Sequence, residues 1–207
     1  LPRESAAPIL LARLVVRPTK KEHAMKLKAW IVAGCSAFLA GCDYTVSLVK
    51  TPEIPIDKAL VGAWSRTAED GRTERLLVLP LGPAEFFVSF PAEDKNAMFA
   101  RACHCRAGDW KLVQLTWFGT ARGEVPDDNR IYQYAVYTVK GDTLQIGMLN
   151  ADVVRRDATS AEALIQALDA NRENPSLFRD AITFKKVPPP TDPNARLTRP
   201  PMPAGWQ

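Results

Sequence analysis

Ile131-Tyr132-Gln133-Tyr134-Ala135-Val136-Tyr137-Thr138-Val139, then Lys140-Gly141-Asp142, then Thr143-Leu144-Gln145-Ile146-Gly147-Met148, is the stretch that decides the fold. Its first segment is rich in aromatic and β-branched residues, the composition of a strand. The three residues that follow have turn chemistry. In the return segment Leu144, Ile146 and Met148 share one face, and Thr143, Gln145 and Gly147 share the other. That alternation across a short turn predicts a β-hairpin.

The same pattern extends upstream. Segments 61–66, 75–81, 85–90, 98–106 and 110–118 read as strands, separated by Pro80, Gly82-Pro83, Pro91 and Ala107-Gly108-Asp109. Downstream, Thr159 stands three residues before Glu162 in a capping-box pattern, and Ala161, Leu164, Ile165 and Leu168 recur at helical spacing. That helix should end near Arg172, before Asn174-Pro175, and a last strand covers 181–187. Seven or eight short strands with one late α-helix predict a mainly β fold, an antiparallel barrel or sandwich. Aromatic residues divide between faces: Tyr132 with Tyr134 against Tyr137, and Trp110 with Phe118 against Trp117.

The folded domain is expected over residues 59–187. Residues 42–58, with Pro52 and Pro55, read as an N-terminal tether. Residues 188–207 hold seven prolines and read as a disordered tail.

The chain has 207 residues and a formal charge of +4. The location of that charge matters more than its size. Residues 1–41 hold seven of the 27 Lys/Arg and two of the 23 Asp/Glu, which leaves 20 and 21 from Cys42 onward, a formal charge of −1. The electrostatic case for a nucleic-acid partner disappears with that division. Met25 opens a basic stretch with Lys26 and Lys28, and an apolar run follows from Ala29 to Gly41. This is the order of a secretory signal, and the run is too short to span a bilayer as a helix. Residues 25–41 are therefore assigned as a signal peptide and residues 1–24 as an upstream extension.

Leu39-Ala40-Gly41-Cys42 resembles the lipobox of bacterial lipoprotein precursors. The resemblance implies that Cys42 receives a diacylglycerol, that signal peptidase II cuts before it, and that the new amino terminus is acylated, for instance with palmitate. Asp43 resembles the sorting residue that retains such proteins in the inner membrane, with the outer membrane as the alternative. Either way the domain would face the periplasm, an oxidising compartment. Gly62-Ala63-Trp64 resembles the G-x-W that opens lipocalins. That likeness favours a barrel over a sandwich and implies that Trp64 closes its floor.

Cys103-His104-Cys105 is the one reactive-looking cluster. Its donors suit zinc or copper, but on a strand the cysteines face one side and His104 the other. A strained disulfide between Cys103 and Cys105, or two unpaired thiols, are the alternatives. Asp127-Asp128-Asn129 lacks the spacing of a calcium loop, and no nucleophile elbow or phosphate-cradling glycine loop occurs. No cofactor is expected. Trp64, Phe87, Trp117 and Tyr134 are candidate lining residues for an apolar cavity, although such side chains more often fill a small barrel.

The resulting expectation is a membrane-anchored lipoprotein whose β domain is a non-catalytic binding or envelope-assembly module, with an envelope protein as partner. Two alternatives stand beside it. One is a lipocalin-like carrier of a small apolar ligand. The other is a metal or thiol-redox protein using Cys103 and Cys105.

Overall fold

A computed structural model describes residues 44–126, 129–179 and 181–189. The lipobox, Cys42, Asp43, the Asp127-Asp128 pair and most of the proline-rich tail lie outside the described residues. Those described belong to one compact unit, Gly41–Gln207.

Eight antiparallel strands close into a barrel in sequence order. They are β1 (Gly62–Thr67), β2 (Thr73–Pro80), β3 (Glu85–Phe90), β4 (Met98–Ala107), β5 (Trp110–Thr120), β6 (Tyr132–Lys140), β7 (Thr143–Met148) and β8 (Ile182–Lys186). β8 returns to β1 through Trp64↔Lys186 and Ser65↔Lys185, and Val187 N–H donates to the Ala63 carbonyl at 2.8 Å. The barrel is thus realised rather than the sandwich. Closure gives every strand a neighbour on both sides and leaves no edge strand.

Two hairpins use one turn chemistry. Gly108-Asp109 joins β4 to β5 and Gly141-Asp142 joins β6 to β7, each as a two-residue loop. The glycines sit at φ 58° and 56°. A left-handed first position is what a tight hairpin turn asks of glycine. These turns and the β2–β3 turn mark one end of the barrel, the turn end. The longer β1–β2, β3–β4, β5–β6 and β7–β8 connections mark the loop end.

Register and alternation send Trp64, Leu76, Val78, Phe86, Val88, Phe90, Leu144 and Phe184 inward. Trp64 is fully buried, and its indole N–H donates to the Leu60 carbonyl at 2.9 Å. A single 3-10 turn, Lys58–Leu60, carries that carbonyl across the turn end. Gly62 makes the entry with φ 135°, and a Cβ there would meet the Lys186 side chain. Lys186 Nζ lies 4.8 Å from the Trp64 ring centroid. Phe90 and Phe184 meet edge to face at 6.0 Å. Toward the loop end the half-buried pair Arg66–Glu74, 2.6 Å apart, continues the interior.

A second core lies outside the barrel. The β7–β8 connection contains α1 (Ala161–Ala170), whose Leu164 and Leu168 are fully buried against outward-facing Cys105, Ala107, Leu112 and Tyr134. Ser160, not Thr159, is the N-cap, its hydroxyl accepting from Ala163 N–H at 3.1 Å. Ser160 has the extended φ and ψ of an N-cap.

The tether expected over 42–58 requires correction where it is described. Residues 44–53 form a strap along the outer face of β4, β5 and β6, and residues 54–58 continue it across the turn end. Tyr44 is 1% exposed and exchanges both backbone hydrogen bonds with Tyr132, at 3.1 and 3.0 Å. The ordered domain therefore starts at or before Tyr44 rather than near Ala59. Pro52 and Pro55 prevent a continuous ladder, so side chains hold the strap instead.

Candidate functional site

The candidate site lies at the turn end, where the strap meets β4, β5 and β6. The β5–β6 ladder stops at Val113↔Ala135, so the two strands part before they reach that end. A recess of about 480 Å³ opens there, lined by Ile54, His104, Arg106, Lys111, Tyr137 and Val139 among others.

His104 is inward-facing and is gripped on four sides. Its ring stacks on Tyr137 at 5.8 Å and meets Phe86 edge-on at 5.5 Å. Nδ1 lies 3.1 Å from the Pro55 carbonyl, and Nε2 lies 3.0 Å from the Tyr137 hydroxyl. Tyr137 donates to Asp57 Oδ2 at 3.0 Å, while Asp57 Oδ1 accepts from Ala59 N–H. Burial, reinforced by the hydrogen bond to Asp57, pushes the Tyr137 phenol far above its ordinary range, so it remains a donor. The Pro55 carbonyl can only accept, which makes Nδ1 a donor. Nε2 is engaged with the Tyr137 hydroxyl, so both ring nitrogens have a partner.

Arg106 and Lys111 are directly opposed across the β4–β5 ladder. Both are exposed. Among the described residues neither side chain has an ion pair or hydrogen bond. Like charges at facing positions are unfavourable. An anionic group in the recess would relieve that repulsion.

The structure separates the residues of the cysteine cluster. Cys103 and Cys105 face outward beneath the strap, are buried, and are unbridged. His104 faces inward between them. Burial pushes the Cys103 thiol up to about 11, with Glu85 adding to the shift. Burial also pushes Cys105 up to about 12, with Cys103 adding to it. Thiolates are the nucleophiles and metal ligands, and neither thiol is prepared to form one. Among the described residues no group of three or more His, Cys, Asp or Glu could hold a metal ion.

The four candidate cavity residues do not meet either. Trp64 and Trp117 are inside the barrel, and Trp117 Nε1–H donates to Gln133 Oε1 at 3.0 Å. Phe87 is on the outer wall opposite Leu79 and Arg101. Tyr134 is outside but buried beneath the strap, and its hydroxyl donates to the Val46 carbonyl.

Sequence reasoning missed Gln114. This glutamine is 3% exposed, yet it is fully engaged. Its Oε1 accepts from Leu48 N–H at 2.8 Å and Val49 N–H at 3.1 Å, and its Nε2 donates to the Val49 carbonyl at 2.9 Å. The available signal was the alternation Tyr44, Val46, Leu48, a strand-like face on the supposed tether.

Fold and site together define a class: a closed eight-stranded barrel with an external strap and helix, and a basic recess at its turn end. No family model, no curated protein and no solved structure matches the chain.

Proposed function

We propose that the chain is a bacterial envelope lipoprotein whose barrel is a non-catalytic, periplasm-facing binding module. Acyl chains on Cys42 would anchor it, and Asp43 would favour the inner membrane. One observation carries the reading. The basic stretch, the apolar run and Leu39-Ala40-Gly41-Cys42 end two residues before Tyr44, the first described residue, which is already buried in the domain. Cleavage before Cys42 would remove the export signal and spare the fold.

Binding is favoured over catalysis because the nucleophilic candidates are disabled. Both thiols are protonated and covered, and both nitrogens of His104 are occupied. The recess, with its unpaired Arg106 and Lys111 beside Ile54 and Val139, suits a small ligand with an anionic group and an apolar body.

Metabolic labelling with palmitate tests the anchor. Label should enter the parent protein and be absent from Cys42→Ala, which should accumulate as uncleaved precursor. Label that persists in Cys42→Ala would overturn the proposal.

A further inference from the structure

The outer surface of the barrel has three walls of different character. Over β4, β5 and β6 it is covered by the strap and α1. Over β7, β8 and β1 it is polar, with Gln145, Thr183, Lys185 and Ser65 facing outward. The third wall runs from β2 to β5 toward the loop end and is apolar and uncovered.

Its centre is a triangle of phenylalanines. Register turns Phe87 and Phe99 outward, diagonal to one another across β3 and β4, with ring centroids 5.8 Å apart. Phe118 completes it, at 6.4 Å from Phe87 and 6.3 Å from Phe99. A register shift between Phe99 and Ala100 makes Phe118 the extra residue of β5, without a partner across the ladder. Such a bulge re-aims a side chain. Phe118 is 45% exposed, and Leu79, the partner of Phe87 on β2, is 41% exposed. The charges bordering this wall are compensated, Arg101 by Glu85 and Arg75 by Glu93. A contiguous apolar face in which Leu79 and Phe118 are exposed and Phe87 and Phe99 half-buried marks a contact surface.

The chain's entry point says what the contact is. Tyr44 is locked to Tyr132 at the start of β6, and Tyr132 is opposite Thr116 on β5. Phe118 is two residues further along that strand, toward the loop end. Two residues reach at most about 7 Å, so acyl chains on Cys42 would leave the protein close to Tyr44, with no slack for the domain to lift away.

We infer that the Leu79–Phe87–Phe99–Phe118 wall is the membrane-contact face of the anchored protein, seated in the headgroup and acyl boundary of the bilayer. The inference rests on the lipoprotein reading. It adds that the barrel lies on its side, with the turn-end recess directed along or away from the surface rather than into it. Interfacial seating by an apolar face supplements acyl anchoring and fixes orientation.

The test uses full-length protein, processed in a bacterium and reconstituted into phosphatidylethanolamine–phosphatidylglycerol vesicles. A spin label is attached at Phe118→Cys, with Gln145→Cys on the polar wall as control; Cys103 and Cys105 are buried. The label at 118 should show a severalfold loss of collision with a water-soluble nickel complex relative to 145, and a gain with oxygen. Mass of the N-terminal peptide reports acylation separately. Acylated protein whose two labels collide equally with nickel overturns the inference and leaves the lipoprotein reading intact. Absence of acylation overturns both. Shielding at 118 that persists in detergent-free solution without vesicles assigns the wall to a second copy of the chain and overturns the membrane assignment.

Discussion

The side chain of Gln114 does for Val49 what a neighbouring strand would do. It accepts from the Val49 N–H at 3.1 Å and donates to the Val49 carbonyl at 2.9 Å. One amide thereby satisfies a segment that prolines keep out of the sheet.

Gln114→Leu should therefore detach the strap. The substitution fits the apolar surroundings but strands the Leu48 and Val49 N–H groups, while the Val49 carbonyl keeps the Ser47 hydroxyl at 2.8 Å. A buried group left without its partner costs about 1–3 kcal/mol, and hydration of the loosened strap limits the sum. The expected loss is about 3 kcal/mol by urea unfolding. Amide exchange should accelerate at Val49 more than at Leu144 in the barrel interior. Uniform acceleration would show that strap and barrel open together.

The buried thiols predict the alkaline limb of the stability profile. Cys103 and Cys105 are raised from 9.0 to about 11 and about 12. Above pH 9 the unfolded chain releases these protons while the folded chain keeps them. Their contribution is thus complete below pH 9 and is lost as pH rises through 11–12. Unfolding free energy measured from pH 8 to 11 should fall, and less steeply in Cys105→Ala. An identical slope in that variant would assign the fall to other groups. Thiol titration at pH 8 should be slow in the native protein and reveal both groups in denaturant.

The strands were legible because the barrel obeys period two and uses turn residues where a hairpin needs them. Gly108-Asp109 and Gly141-Asp142 show both signals together. The opposite orientations of His104 and its flanking cysteines followed from alternation alone. What alternation cannot tell is whether an outward face meets water or protein. Tyr134, Leu112 and Cys105 are outward and buried because the strap and α1 cover them. Phe87 is outward and uncovered. These side chains look alike in the sequence, and only the long-range return of Tyr44 and Leu168 separates them. The recess was hidden for a similar reason, since it depends on where the β5–β6 ladder stops.

Tyr137→Phe tests the link between strap and barrel at the turn end. The hydroxyl is the bridge from Asp57 to His104, and phenylalanine preserves the stack on the imidazole. A hydrogen bond to a charged group contributes about 1.5–3 kcal/mol, so a loss of that order is expected. The effect should be local. Asp57 sets up the 3-10 turn through Ala59 N–H, and Leu60 N–H donates to the Asp57 carbonyl at 3.1 Å. Exchange at Leu60 should rise while exchange at Leu164 in α1 does not. Unchanged protection at Leu60 would mean that the 3-10 turn is held without the Tyr137 hydroxyl, by the contacts of Trp64 and Lys186 to its carbonyls.

Lys111→Glu tests the recess by two effects of opposite sign. The substitution replaces a facing pair of cations, Arg106 and Lys111, with an ion pair across the β4–β5 ladder. Cross-strand pairs of opposite charge contribute about 0.2–1 kcal/mol, and like pairs oppose folding, so the variant should be more stable than the parent by about 1 kcal/mol. The same change removes one of two cations available to an anionic ligand and neutralises the other. If the recess binds such ligands, a screen of small carboxylates and phosphates should raise the melting temperature of the parent and leave Lys111→Glu unmoved, despite its higher starting point. A gain in stability with undiminished ligand response would place anion binding elsewhere. A residue that lowers stability in the free protein yet strengthens ligand binding is what a binding site requires of Lys111, and the two measurements together separate that role from simple surface charge.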